Sequence, residues 1–212
     1  GFLPESLVNF VAMLGWSHGD DKELFTLTEL IKEFSFERVN KAGAIFDQEK
    51  LKWMNRQYIQ KLELDDLLQR LYPFINKTPY AGKDPKYLSK IIKILQPRLV
   101  TLSEIEDRLS LFFDDNPEAS DPEVLRFLKE DNSKQVLSNF VKQVESVEEL
   151  TIDNLGELMN NVQNETKIRG KNLWMPIRYA LTLDTEGPDL NLILDLFGKE
   201  RCLDLVRSAL KL

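Results

Sequence analysis

The chain has 212 residues, a formal net charge of −7, 42% hydrophobic and 30% charged residues, which is the composition of a soluble globular protein. One Cys and one His exclude a disulfide framework and a Cys/His zinc site, and the single Cys fits a reducing compartment. No apolar run reaches the roughly 18 residues that a membrane span needs, and 9 Gly with 9 Pro exclude a low-complexity or collagen-like chain.

The chain opens on Gly1 with no charged stretch ahead of an apolar core. No signal peptide is therefore expected, and the sequence reads as a fragment of a longer protein. Charge is unevenly spread. Residues 76–100 carry Lys77, Lys83, Lys86, Lys90, Lys93 and Arg98 against Asp84, a local +5. Residues 166–180 carry Lys167, Arg169, Lys171 and Arg178 with no acid, a local +4. Between them, residues 101–150 hold 13 acids against 5 bases. Ordinary surface charge and an anion-binding face both fit this distribution.

The dominant period is helical. Pro4 suits a first turn and Gly15 an end, which predicts a helix over 4–15. Thr26-Leu27-Thr28-Glu29 is a capping box ahead of Leu30, Ile31 and Phe34. Asp47 precedes a helix to Leu62, with Leu51, Met54, Tyr58 and Leu62 on one face and Trp53 read as a core residue. Asp65 to Tyr72 follows, faced by Leu67, Leu68 and Leu71. Asp84-Pro85 opens a helix with Leu88, Ile91, Ile92 and Leu95 at spacings of three and four, ended or kinked by Pro97. Thr101-Leu102-Ser103-Glu104 is a second capping box, before Ile105, Leu109 and Phe112.

Asp114-Asp115-Asn116-Pro117 lacks periodicity and reads as a linker. Asp121-Pro122 starts the next helix, and further helices are predicted over 134–145, 151–163 and 171–182. Thr185-Glu186-Gly187-Pro188 is a turn, and helices over 188–197 and 199–211 flank Gly198 as a stop. No alternating run stands out, so strand content should be low. The fold class expected is all-α.

Residues that carry chemistry are sparse. Gly15, Gly19 and Gly82 stand alone, so no phosphate-cradling loop is present. Ser17-His18-Gly19-Asp20 places its residues in one turn, where a triad cannot converge, and His18 reads as a loop residue. Asp20-Asp21 and Asp114-Asp115 lack calcium-loop spacing, and Cys202 reads as a small apolar residue on an amphipathic helix. Neither a catalytic nor a metal site is expected.

Several blocks read together are more specific. They are Gly1-Phe2-Leu3-Pro4-Glu5-Ser6-Leu7-Val8-Asn9-Phe10 with Leu14-Gly15-Trp16-Ser17; Phe25-Thr26-Leu27 with Phe36-Glu37-Arg38-Val39; and Ala44-Ile45-Phe46-Asp47-Gln48-Glu49-Lys50-Leu51-Lys52-Trp53-Met54-Asn55. Gln96-Pro97-Arg98 and Pro176-Ile177-Arg178-Tyr179-Ala180-Leu181-Thr182, followed by Gly187-Pro188 and Phe197-Gly198-Lys199-Glu200, complete the set. Across essentially all 212 residues the chain resembles the C-terminal half of a bacterial-type glutamyl-tRNA synthetase, a class I enzyme. The HIGH-like and KMSKS motifs of that family's ATP-binding half do not occur. Tyr87-Leu88-Ser89-Lys90 is superficially similar to the latter but lies inside an amphipathic helix.

The resemblance implies a helical stem-contact region over 1–63 that follows the KMSKS loop, and two helical-bundle anticodon-binding subdomains over 64–117 and 118–212. It implies a full-length parent that ligates glutamate to tRNA(Glu) with ATP and magnesium, and a fragment that needs no cofactor and is inactive alone. Partners implied are tRNA(Glu) but neither DNA nor a membrane, in a cytoplasmic monomer. Arg98 matches the arginine that addresses the third anticodon base and favours C over G; an Arg fork can reach acceptors on an unstacked base, and a phosphate contact or surface ion pair is the alternative. Arg178 matches an arginine near the middle base, with Gly187, Pro188 and Leu190 as the loop that encloses it. Trp174 is either a stacking platform or a core residue. Lys90, Lys93, Lys167, Arg169 and Lys171 are expected on the tRNA backbone. Two departures touch the middle base: Leu183 stands where the family often has Gly, and Met175 where a polar residue can hydrogen-bond. Whether tRNA(Gln) is also charged stays open. The alternative from charge alone is a non-catalytic helical scaffold whose acidic stretch binds a basic partner.

Overall fold

A computed structural model describes residues 1–40, 43, 45–114, 121–185 and 187–212. The chain divides into two compact units, Gly1–Arg108 and Leu109–Leu212. Among the described residues the secondary structure is helical, and the β pairing amounts to one isolated bridge between Trp16 and Val39. No described helix is long and apolar enough to cross a membrane. Of the expected linker, Asp115, Asn116 and Pro117 lie outside the described residues, as do Glu186 of the expected turn and Ala44 of the third block.

In the first unit, α1 (Pro4–Met13) places Pro4 at its first position, where the missing N–H costs nothing. The Thr26 capping box forms as the residue types dictate. Its hydroxyl accepts from the Glu29 N–H, and the Glu29 carboxylate accepts from the Thr26 N–H at 2.7 Å, opening α2 (Leu27–Glu33). The Lys22 ammonium and the Thr26 donors hold the Glu29 carboxyl down at about 2. Asp47 caps α3 (Gln48–Lys61) through the Lys50 N–H. Helix α4 (Leu64–Ile75) continues through Pro73, past the Tyr72 end expected from the sequence, because Pro73 lies on its exposed side. Helix α5 (Pro85–Leu95) is capped by Asp84 and ends in a 3₁₀ turn over Gln96–Arg98, where Pro97 withdraws a donor from the ladder. The Thr101 capping box opens a second 3₁₀ turn, Leu102–Glu104, and α6 (Ile105–Arg108).

Two buried asparagines tie these helices together. Asn9 Nδ2 donates to the Glu23 carbonyl at 3.0 Å, while its Oδ1 accepts from the Phe25 N–H at 2.7 Å. The Tyr58 hydroxyl lies 2.6 Å from that same Oδ1 and close to the Phe25 carbonyl, and its single proton serves one of them at a time. Burial pushes the Tyr58 phenol above its usual range. Asn55 accepts from the Leu3 N–H at 2.8 Å and donates to the Val100 carbonyl. Both side chains are fully buried, so each bond replaces water that cannot enter.

Trp53 corrects one expectation, being 43% exposed. It follows Leu51 by two positions, a rotation of about 200° around the helix. The inward face of α3 is Leu51, Met54, Asn55 and Ile59, and Trp53 points the other way.

The second unit is a bundle. Short α7 (Ser110–Phe113) precedes α8 (Pro122–Leu128), which Asp121 caps through the Glu123 N–H. Helix α9 (Asp131–Glu145) packs against α10 (Ile152–Thr166), α11 (Lys171–Thr182) and α12 (Leu190–Ala209). Its inward residues Val136, Leu137, Phe140 and Val144 recur at helical spacing. Gly198, at φ 68° and ψ −179°, breaks α12 into two stretches, as the expected stop requires. Cys202 is buried there, and burial pushes its thiol up to about 12.

Candidate nucleic-acid interface

The first basic patch is built by α5 and the turn that follows it. Leu88, Ile91, Ile92 and Leu95 are buried, which leaves Lys86, Lys90 and Lys93 exposed along the opposite side at spacings of four and three. Half-buried Arg98 sits at the end of the turn. The turn is bolted to α3. The Pro97 carbonyl accepts from Arg56 Nε at 3.1 Å, Arg56 Nη2 at 2.9 Å and Gln60 Nε2 at 2.7 Å. One residue earlier, Gln96 Nε2 donates to the carbonyls of Ile59 and Leu62, at 3.0 and 2.8 Å, and so ties the turn to the end of α3, where the Ile59 carbonyl also accepts from the Leu62 N–H. Arg98 therefore stands on a turn fixed at both preceding residues. Arg56, Gln60 and Gln96 escaped sequence reasoning. The bonds span 34 to 41 residues, and periodicity carries no signal across that distance.

In the second unit α11 and the start of α12 form a cleft of about 270 Å³ lined by Trp174, Arg178, Asp189, Leu190 and Asn191. Leu173, Pro176 and Ile177 face the core, which turns Lys171, Trp174 and Arg178 to one shared outer face at spacings of three and four. Trp174 is 36% exposed and lines the cleft, so its reading as a core residue is set aside.

Arg178 Nη1 donates to the Pro188 carbonyl at 3.0 Å. A Cβ at Gly187 would come within 3.2 Å of that same nitrogen. Gly187 is thus where the loop approaches the guanidinium closely, and buried Pro188 and Leu190 anchor the loop beneath it. Thr182 Oγ1 bonds back to the Arg178 carbonyl at 2.8 Å, and the Asp189 carboxylate caps α12 through the Asn191 N–H at 2.8 Å. The five residues Trp174, Arg178, Gly187, Pro188 and Leu190 are brought together as one wall and its rim. Leu183 occupies the left-handed region at φ 51°, ending α11. That conformation favours Gly, which gives a physical reason for a glycine at this place.

The remaining cations lie in the connection from α10 to α11. Lys167, at φ 62°, ends α10 with its N–H on the Gln163 carbonyl at 2.8 Å. Lys167, Arg169 and Lys171 are exposed, and among the described residues neither they nor Lys90 and Lys93 enter an ion pair. Their charge is available to an anion. By contrast Lys77 is spent on Glu106 at 3.4 Å, and Arg201 lies over the Phe197 ring and donates to the Leu111 and Asp114 carbonyls.

Comparison with known proteins shows the family of this chain. Residues 66–210 match the family of the anticodon binding domain, and residues 1–53 match the catalytic domain of class I tRNA synthetases of the E and Q type. A glutamate–tRNA ligase of Caldicellulosiruptor saccharolyticus is 40% identical over 208 residues, covering 96% of this chain and 43% of the relative. That of Bacillus subtilis is 38% identical over 213 residues, covering 98% and 44%. The crystal structure of a glutamate tRNA ligase from Elizabethkingia meningosepticum, in complex with its amino acid, superposes with a TM-score of 0.84 at 27% identity, covering 100% of this chain and 41% of that one. The chain thus spans less than half the length of the curated relatives it matches. It belongs to the anticodon-binding domain family and corresponds to the C-terminal part of bacterial glutamate–tRNA ligases.

Proposed function

We propose that this chain is the tRNA-reading part of an enzyme that ligates glutamate to tRNA(Glu) with ATP and magnesium in the cytoplasm. In this reading the chain itself holds no cofactor, works as a monomer, and divides functionally into a stem-contact region over 1–63 and anticodon-binding subdomains over 64–117 and 118–212. The observation that carries it is the cleft of Trp174, Arg178, Asp189, Leu190 and Asn191 inside a matched anticodon-binding domain. An exposed indole beside a guanidinium offers an unstacked base both a stacking face and donors.

Arg178 acts on the middle anticodon base through the loop it braces, with Gly187, Pro188 and Leu190 shaping the enclosure. Arg98 addresses the third base. The guanidinium only donates, C presents acceptors on its pairing edge, and G presents mostly donors there. Lys90, Lys93, Lys167, Arg169 and Lys171 carry the phosphate backbone. The overall charge of −7 is compatible with this, because binding depends on local cations.

The test is direct binding of tRNA(Glu) to the chain across a salt series. Affinity should fall steeply with salt, and Trp174→Ala should cost about 1–3 kcal/mol, the worth of one stacked base. Equal affinity for tRNA(Glu) and an unrelated tRNA, unchanged by Trp174→Ala, would overturn the reading.

A further inference from the structure

The cleft between α11 and the start of α12 holds two opposite charges that do not meet. Arg178 and Asp189 both line it, yet among the described residues they form no ion pair with each other. Arg178 Nη1 is turned to the Pro188 carbonyl at 3.0 Å, and one Asp189 oxygen takes the Asn191 N–H at 2.8 Å. Each bond fixes its side chain and leaves capacity over, because a guanidinium has further N–H groups and a carboxylate further lone pairs. The lining side chains also divide by hydrogen-bonding type. Trp174 and Arg178 only donate, Leu190 does neither, and Asn191 does both. Asp189 is the one lining residue whose side chain only accepts. A carboxylate at the wall disfavours a phosphate, which would meet a like charge, and favours a neutral ring that carries an N–H.

Glutamate codons carry A at their middle position, so the middle anticodon base of a glutamate tRNA is uracil. The pairing edge of uracil is a ring N–H between two carbonyls. Cytosine has the same size and shape, but a bare ring nitrogen replaces the N–H and an amine replaces one carbonyl. The Trp174 face stacks either ring, so neither stacking nor size separates them. We infer that Asp189 tells uracil from cytosine: its second oxygen accepts the uracil ring N–H, while Arg178 and the Asn191 amide donate to the flanking carbonyls. Cytosine in the same place sets a lone pair against the carboxylate and an amine against a donor, so it leaves charged groups unsatisfied. The inference rests on the proposed reading of the middle base at this cleft, and adds the residue that decides between the two pyrimidines.

One variant separates this role from helix capping. Asn caps a helix as well as Asp does, but the cap needs the amide oxygen, so Asp189→Asn turns an NH2 group toward the base. The affinity of the full 212-residue chain and of Asp189→Asn is measured for tRNA(Glu) and for the same tRNA with C in place of U at the middle anticodon position. The wild type should bind the U form about tenfold more tightly. In the variant that ratio should fall about tenfold, because the new donor opposes the uracil N–H and suits the cytosine ring nitrogen. Its Tm and its preference at the third anticodon base should stay unchanged. A U-to-C ratio that survives in Asp189→Asn, while Trp174→Ala still weakens binding, overturns the inference and leaves the reading of the cleft standing. Equally weaker binding of both tRNAs with a lowered Tm also overturns it and makes Asp189 a helix cap only. If the wild type binds both tRNAs alike and Trp174→Ala changes nothing, the reading of the cleft falls and the inference with it.

Discussion

The guanidinium of Arg56 grips the backbone carbonyl of Pro97 through two nitrogens, at 3.1 and 2.9 Å, and so joins α3 to the turn that presents Arg98. A charged fork on a neutral carbonyl is stronger than a neutral bond and fixes direction as well as distance. The turn cannot hold itself as a helix would, because Pro97 has no N–H to give. Arg56→Ala leaves Gln60 as the partner of that carbonyl, so the fold should survive with a loss of about 1–2 kcal/mol. Discrimination between tRNAs differing in the third anticodon base should fall along with it. Paired measurements of thermal stability and of relative affinity check both halves of this expectation.

Asn55 and Trp53 are near neighbours in sequence with opposite roles. Asn55→Ala strands the Leu3 N–H and the Val100 carbonyl, both of which meet it at a fully buried site. The expected loss is about 2–3 kcal/mol. Trp53→Ala, at a position 43% exposed, should cost well under the roughly 3–5 kcal/mol of a buried Trp. Denaturant unfolding of the two variants, compared at equal slope, decides the order.

Much of the fold was legible because its helices begin with side chains that satisfy the first free N–H groups. Thr26, Asp47, Asp84, Thr101, Asp121 and Thr151 all stand at helix or turn starts. Pro97 and Gly198 end or break helices for equally local reasons. The failures are rotational and long-range. The apolar character of its neighbours places Trp53 inward, whereas its angle around α3 turns it outward. The Trp174 cleft could be drawn only as residues in a known pattern. Its shape depends on Arg178 reaching Pro188, ten residues away in the loop before α12.

Lys167 separates stability from binding. Its φ of 62° strains any residue with a Cβ, and its side chain is exposed. Lys167→Gly should therefore raise stability by about 1 kcal/mol, which for a unit of this size is roughly 4–8 °C in Tm. The same variant should bind every tRNA more weakly by one common factor, with a shallower salt slope, as loss of a phosphate contact requires. Calorimetry and a salt titration on one preparation test the two effects together.

Cys202 links the second unit to pH. Burial holds its thiol at about 12, above its unfolded value near 8.5, so the folded state favours the neutral form. The stability this provides is complete below about pH 8.5 and is lost as pH rises from there toward 12, by up to about 5 kcal/mol. Cys202→Ala should flatten that alkaline loss. A thiol reagent should label the native chain only at the rate of unfolding, since 0% of the residue is exposed.

The most direct measurement of anticodon reading is the affinity of the wild-type chain and of Arg98→Gln for two tRNAs that differ only in the third anticodon base, C or G, at two salt concentrations. The wild type should prefer C by about 1–3 kcal/mol. Arg98→Gln introduces an acceptor and removes the charge, so the preference should shrink while overall affinity also falls. A C-to-G ratio that stays the same in the variant, with uniformly weaker binding and a shallower salt slope, would contradict base reading and make Arg98 a clamp on the phosphate backbone.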